Sequence, residues 1–510
     1  MIPLLVLFAA GAVHERYDAV EAQRAPKMLI EAIRFATVAG NTTVHKAQKE
    51  WILKTAAALD LVGRDAGPVT EVELPGPPGS PVLGLVVHGD VQPVEESSWK
   101  VPAWAGVIKG GAVWGRGAAD DKGPLVQALL ALSALKAAGP PRTHTVRLLV
   151  GSDEESENLD MRKYLAEHSA PDLTLVLDSA FPAVVGEKAW DALTVTADPG
   201  ERPRGAGIAR REGMQARASE TKAWSVALVQ AGISASIVPD WARLILRWRE
   251  GEPRWSELVA RLSARTPSPG TKLRTVSHGA ELEIVVRGHA AHSGVNLELG
   301  RNALVALARA VEGELPEGSV DDLLAFARLA GEDLHGVSLG LPQGVWDGFS
   351  VNVATIDTQT PLAPREVGKQ TLVVNVRRPP PLTAAEMRAK LEAVVRDFAK
   401  KRGANLRAGG FFEDEPLVFD PQAKVVRHLM AAYTRVTGRN DPPSISGGGT
   451  YAKRIPRAIA FGMWFPGKPY PGHDNDEHVP IEDLKVGAHV LLEALVDLAC
   501  GPPLPDPFAP

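Results

Sequence analysis

Three short apolar runs in this chain each stop on a polar residue able to bind a metal or carry a proton. The first, Val82-Leu83-Gly84-Leu85-Val86-Val87, ends on His88-Gly89-Asp90. The second runs from Thr145 to Val150 and leads through Gly151-Ser152-Asp153 into Glu154-Glu155. The third runs from Leu173 to Leu177 and ends on Asp178. Apolar runs of this length, bounded by turn residues, predict strands buried on both faces. Between them, Pro124 to Ala138 predicts a helix with proline in its first turn and Gly139 as its stop, and a second short helix is expected near Met161–His168. A helical periodicity over Ala22–Leu59 and Pro/Gly-rich turns around Pro75-Gly76-Pro77-Pro78-Gly79 precede the first strand. Strand and helix alternating in this way predict an α/β layer with a mostly parallel sheet. In such sheets ligands collect beyond the carboxyl ends of the strands, where these His, Asp and Glu residues fall.

After Phe181-Pro182 the pattern changes. Strand-like runs (Ala242 to Trp248, Leu282 to Val286, Leu372 to Val376) alternate with helical ones (Trp255 to Ala264, Asn302 to Glu312, Ala384 to Lys400). This predicts an inserted α+β domain, built as two tandem units. The chain then returns to the first layer with a helix near Gln422–Thr437, a strand Ala458–Met463 and a last helix Ile481–Ala499. The expected division is 1–188 and 413–500 for the two parts of the α/β domain, 189–412 for the insertion, and 501–510 for a disordered Pro-rich tail.

Length and composition narrow the function classes. At 510 residues the chain exceeds what one core usually supports. Its 45% hydrophobic and 23% charged content is that of an ordinary globular protein. A net charge of −5, without a basic stripe interleaved with aromatics, argues against nucleic acid as a partner. The single cysteine, Cys500, excludes a Cys-rich zinc finger, so any metal must be held by His and carboxylates. No stretch reaches the roughly 20 apolar residues of a membrane span. The apolar run Ile2 to Ala10, followed by Ala10-Gly11-Ala12, has the small-x-small form of a signal-peptidase site, which makes residues 1–12 a candidate signal peptide. No basic residue precedes it and Pro3 interrupts it. The expectation leans to export, periplasmic or secreted, with a cytoplasmic protein as the alternative.

Hydrolysis of an amide needs an activated water, a polarised carbonyl, a proton shuttle and donors for the oxyanion. Two zinc ions about 3.5–4 Å apart supply the first two. Asp120, within Gly115-Arg116-Gly117-Ala118-Ala119-Asp120-Asp121-Lys122-Gly123, is the candidate bridging carboxylate. His88 and Asp178 fall to one metal, and Glu155 and His473, in Gly472-His473-Asp474-Asn475-Asp476-Glu477, to the other. Such ligands suit Zn²⁺, with Co²⁺ or Mn²⁺ as substitutes. Of the adjacent pair, Glu155 binds metal while Glu154 serves as general base. Asp90 is placed to orient a ligand imidazole. Taken singly, His-x-Asp at a strand end is a common surface turn, and Asp120-Asp121 could merely cap the following helix. Their joint occurrence carries the reading.

These motifs, His88-Gly89-Asp90-Val91-Gln92-Pro93-Val94, Gly115 to Gly123, Asp153-Glu154-Glu155-Ser156, Asp178 and Gly472-His473, resemble the co-catalytic zinc aminoacylase/carboxypeptidase superfamily over nearly the whole chain. Gly447-Gly448-Gly449-Thr450-Tyr451-Ala452, with Ala460-Phe461-Gly462 and Phe465-Pro466-Gly467, is most similar to the peptidase V (Xaa-His dipeptidase) branch. The resemblance implies the ligand roles above, a cis peptide between Asp120 and Asp121, and substrate contacts from Gly448, Gly449 and Thr450. It makes the insertion a lid. In Gly288-His289-Ala290-Ala291-His292-Ser293-Gly294, it implies that His292 stabilises the tetrahedral intermediate. It also implies that Arg377 pairs with the substrate carboxylate, although Arg378 could be the inward residue instead. Where the family has Asn-x-Val-Pro-Asp, this chain has Ser236-Ile237-Val238-Pro239-Asp240, so specificity is expected to differ.

The function this predicts is a di-zinc metallopeptidase acting on dipeptides or very short peptides, as a monomer, because a double lid can supply the His292 contact within one chain. An N-acyl-amino-acid or succinyl-diaminopimelate-type deacylase is the alternative within the same chemistry. A non-catalytic binding protein on the same scaffold is the alternative outside it.

Overall fold

The computed structural model describes residues 4–198, 222–265, 268–344, 346–358 and 370–510. The Arg/Gly-rich stretch 201–217 lies outside the described residues. The chain divides into two units, Met1–Lys188 with Pro416–Pro510, and Ala189–Glu415.

In the first unit a six-stranded sheet runs in the order Val62–Ala66, Val69–Leu74, Thr145–Gly151, Val82–His88, Leu173–Val176, Ala458–Ala460. The last four are mutually parallel and the first two antiparallel. The parallel strands are the apolar runs of the sequence, and Leu85, Val86, Val87, Leu148, Leu175 and Val176 are all fully buried. Lys122–Ala138 ends before Gly139 and is buried on every side over most of its length, as a helix apolar all round must be. It packs against Ile481–Ala499 and the N-terminal helix Leu4–Arg16, whose Val13 is fully buried. At about 1.5–3 kcal/mol for each large apolar side chain removed from water, this helix sandwich is a principal contributor to the stability of the unit.

The structure departs from two of the sequence expectations. The segment 458–463 is not one strand. Ala458–Ala460 joins the main sheet, whereas Met463–Trp464 pairs with Ser179–Ala180, because Gly462 (φ 69°) turns the chain between them. The Pro-rich tail is not disordered: Phe508 stacks on Phe419, and the carbonyls of Pro507 and Ala509 accept from the backbone of Val425 and Lys424 at 2.9 and 3.0 Å. Two aromatic anchors outweigh what prolines suggest by composition.

The second unit is an eight-stranded sheet in the order Lys272–His278, Glu281–Arg287, Trp241–Trp248, Trp224–Ala231, Ser350–Asp357, Gln370–Arg378, Ala189–Ala197, Leu406–Phe412. Among the described residues, every pairing in this sheet is antiparallel. Two four-stranded halves meet where Gln230 and Ala231 pair with Asp357 and Ile356, so the tandem units share one continuous sheet. Joining edge to edge pairs backbone groups that two separate sheets would leave exposed. Helices Ala303–Ala310 and Ala384–Arg402 start at side-chain caps. Asn302 accepts from Val305 N, and Thr383 and Glu386 form a reciprocal capping box.

Candidate active site and metal centre

The parallel strands of the first unit deliver their end residues to one place. His88 closes its strand opposite Gly151, and Asp178 follows the next strand. Gly151 can be nothing larger, since a Cβ there would lie 2.2 Å from the Tyr451 hydroxyl. That hydroxyl donates to Asp160 Oδ2 at 2.6 Å, and Asp160 in turn accepts from Ser152 N at 2.6 Å. The turn that follows carries Glu154 and Glu155, whose backbone N–H groups donate to the two oxygens of Asp90 at 3.2 and 2.9 Å.

Asp120 sits at the middle of the cluster. Its Oδ1 lies 2.9 Å from His88 Nε2 and its Oδ2 lies 3.2 Å from His473 Nε2. Each oxygen of one carboxylate therefore faces a different imidazole, the shape of a bridging ligand. The peptide from Asp120 to Asp121 is cis. His473 is also 3.1 Å from Glu155 Oε1, and His88 Nε2 is 3.8 Å from Asp178 Oδ2. The ligand atoms of His88, Asp120 and Glu155 all lie within 4.8 Å of one another, as do those of His88, Glu154 and Asp178. Glu154 is thus within ligand range as well as Glu155. His88 Nδ1 faces the Asp90 carbonyl at 2.9 Å and the Asp90 carboxylate at 3.5 Å.

The electrostatics of the protein alone are those of crowded acids. Burial pushes Glu154 well above the usual carboxylate range, and the charge of Asp178 adds to it. Asp178 is raised well above its usual range by burial and by Asp121 and Asp120. Asp120 goes the other way: burial pushes it up, but hydrogen bonds from His473 and His88 hold it well below. His473 is driven up to about 10, against the effect of burial, by Glu155 and Asp120. Like charges at this spacing cannot all ionise unless cations join them. Two imidazoles among six carboxylates (Asp90, Asp120, Asp121, Glu154, Glu155, Asp178) form a donor set for hard or borderline divalent ions, and zinc fits it.

Several participants carry no ligand or acid–base signal of their own in the sequence. Gln92 donates to Glu155 Oε2 at 2.8 Å, and Asp121 Oδ2 accepts from His88 N at 3.0 Å. Glu477 binds the turn that carries Asp120. Gln92 and Glu477 lie four residues after His88 and His473 in the same motifs, which is the signal the sequence offers for them. Thr450 is buried and committed to Glu187, with Oγ1 donating to Oε1 at 2.8 Å, and Gly448 N donates to Ser446 Oγ at 3.0 Å.

In the second unit, His292 Nδ1 accepts from the N–H groups of Gly294 and Val295, both at 2.9 Å. That fixes its proton on Nε2. Next to it, Ser293 Oγ accepts from Arg377 Nη2 at 3.0 Å. Arg378 is on the opposite face of its strand, in a fully buried pair with Asp191 (Nε to Oδ2 2.7 Å) and donating to the carbonyls of Leu382 and Asp414. Ser236, the departure from the family pattern, accepts from Trp190 Nε1 at 3.0 Å.

The profile of Peptidase family M20/M25/M40 matches residues 84–497. The chain belongs to this family. The motif resemblance and the family therefore agree. Among M20 relatives, the putative dipeptidase YtjP of Bacillus subtilis (strain 168) is 26% identical over 424 residues, covering 82% of this chain and 84% of that protein. The Beta-Ala-Xaa dipeptidase of Lactobacillus delbrueckii subsp. lactis is 24% identical over 424 residues, with 82% of each covered. The fold is that of the dipeptidase Dug1p from Saccharomyces cerevisiae (TM-score 0.58, 15% identity, 96% of this chain and 98% of that one). It is also that of human carnosine dipeptidase 1 (TM-score 0.56, 14% identity, 97% and 100%).

Proposed function

We propose that this M20-family protein is a di-zinc dipeptidase. The observation that carries the reading is the Asp120 carboxylate, with one oxygen toward His88 and the other toward His473. His88, Asp120, Glu155, Asp178 and His473 would hold the two ions, which when bound polarise a carbonyl and lower the pKa of water. The remaining chemistry belongs to the chain. Glu154, whose carboxyl is raised well above its usual range by burial and Asp178, takes a proton from the attacking water at a carboxylate oxygen and returns it to the leaving amine. Asp90 holds both the His88 ring and the Glu154–Glu155 turn, so one carboxylate sets the relative position of ligand and base. From the second unit, His292 offers an Nε2–H suited to an oxyanion, and Arg377 a guanidinium suited to the terminal carboxylate of a dipeptide. The names of the relatives support dipeptides over N-acyl amino acids. A monomer is the proposed active form.

The test is release of free amino acid by the zinc-loaded protein from free dipeptides, amidated dipeptides, tripeptides and N-acyl amino acids. Free dipeptides should be the best substrates. Preference for N-acyl amino acids would sink the dipeptidase reading in favour of a deacylase, and no turnover of any of these would remove both.

A further inference from the structure

Glu477 is not a metal ligand in this reading, yet it is fully buried beside the ligand set. Its two oxygens accept four N–H donors from one turn. Oε2 takes Arg116 Nη1 at 2.8 Å and Gly117 N at 3.0 Å; Oε1 takes Ala119 N at 2.8 Å and Asp120 N at 3.0 Å. Its carbonyl also accepts from Gly115 N at 2.9 Å. The adjoining residues His478–Pro480 pair with Ala112–Trp114, and His473 lies four positions earlier in the same segment. Glu477 therefore ties the stretch that supplies His473 to the turn that supplies Asp120.

A peptide N–H direction fixes the plane of its peptide group. Holding the N–H groups of both Ala119 and Asp120 fixes the two peptide planes leading into Asp120, and so the direction from which its side chain leaves the backbone. The useful orientation is narrow, because each oxygen must face its own imidazole, at 2.9 and 3.2 Å. We propose that Glu477 is a positioning residue for the metal pair, acting through the Gly117–Asp120 backbone to hold the Asp120 carboxylate between His88 and His473. This rests on the reading of the cluster as a metal centre. The rival account makes Glu477 only half of a buried ion pair with Arg116, whose side chain is 2% exposed and whose guanidinium lies 5.3 Å from the Trp99 ring.

The experiment strips the protein with a chelator, then titrates zinc against a competing chromophoric chelator, with circular dichroism and backbone hydrogen exchange on the metal-free form. In Glu477→Gln an NH₂ replaces one oxygen and faces two N–H donors whichever way the amide sits. Zinc affinity should fall roughly 10–100-fold, the range for removing partners that orient metal ligands, with native circular dichroism and faster exchange at residues 117–120. Arg116→Gln, which leaves the three backbone bonds in place, should change zinc affinity little. Equal zinc affinity in Glu477→Gln and the unaltered protein overturns the proposal. So does a loss in Arg116→Gln as large as that in Glu477→Gln, since the ion pair would then carry the effect. Should Glu477→Gln fail to fold, Glu477→Asp keeps the charge with a shorter reach, and unaltered zinc affinity there overturns the proposal equally. If the unaltered protein binds no zinc, the functional reading falls and takes this inference with it.

Discussion

Two His/carboxylate clusters lie in the first unit, and they are built on opposite principles. At the candidate active site, His88 and His473 sit among Asp90, Asp120, Asp121, Glu154, Glu155 and Asp178, and several of those carboxyls are pushed far above their ordinary range. On the helices Leu4–Arg16 and Ile481–Ala499, His14 and His489 stack with ring centroids 4.7 Å apart. There each acid has its own cation or imidazole: Glu493 pairs with His14 at 2.9 Å and with Arg435, Asp497 with Arg435, and Asp18 with Lys485 at 2.9 Å and His489 at 3.0 Å. Burial raises Glu493, but His14 and Arg435 bring it below its usual range. Residue types alone do not separate a metal centre from a structural ion network. Charge balance does, because unmatched negative charge in a buried site calls for a cation.

The sharpest way to break this contrast is to remove one acid from each cluster. Glu154→Ala should lower kcat roughly 10²–10⁴-fold with both metals retained, Glu155→Ala should lose metal, and Glu493→Ala should leave kcat and metal content unchanged. Metal analysis after dialysis, paired with turnover, checks all three; loss of metal from Glu154→Ala but not from Glu155→Ala would exchange their roles. Next in size, Arg377→Ala should reduce kcat/KM for free dipeptides by about 2–5 kcal/mol, as for truncating one partner of a buried charge pair. Amidated dipeptides, lacking that charge, should hardly change. Equal losses on both substrates would show that the carboxylate is read elsewhere.

A smaller effect separates the clusters by pH. His473 has a folded-state pKa raised to about 10, so its stabilisation in the metal-free protein is complete below 6.5 and is lost as pH rises from 6.5 through about 10. His489 is depressed, by burial and by His14, so its contribution is present above 6.5 and is lost as pH falls below it. The Tm of the chelator-treated protein should therefore decline on both sides. Zinc should remove the alkaline decline only, and His489→Gln should soften the acid one only. Zinc that changed both limbs alike would erase the distinction. The smallest effect belongs to the exposed Asp18–Lys485 pair: Lys485→Ala should cost about 0.2–1 kcal/mol in a denaturation midpoint, shrinking with added salt.

Much of this was legible beforehand. The strands ending at His88, Gly151 and Val176, the helix after Asp121, and the helix Ile481–Ala499 follow from apolar runs and their stops, which are local properties. The docking of the tail is not legible there, because the stacking of Phe508 on Phe419 joins residues far apart in sequence. The role of Glu477 is hidden for the same reason, since nothing near it in sequence shows that four donors converge on its carboxylate.

The sequence by itself determined the α/β layer, the residues at its strand ends and the family, because periodicity, turn residues and motif spacing are carried by neighbours along the chain. Only the tertiary structure decided which oxygen of Asp120 faces which histidine, or that Asp90 anchors the Glu154–Glu155 turn as well as the His88 ring. It also separated the adjacent arginines. The two alternate across one strand, and Asp191 with the Asp414 carbonyl claims Arg378, whereas Arg377 lies against Ser293 beside His292. Such choices depend on pairings between distant segments, and no pattern within a single segment encodes them.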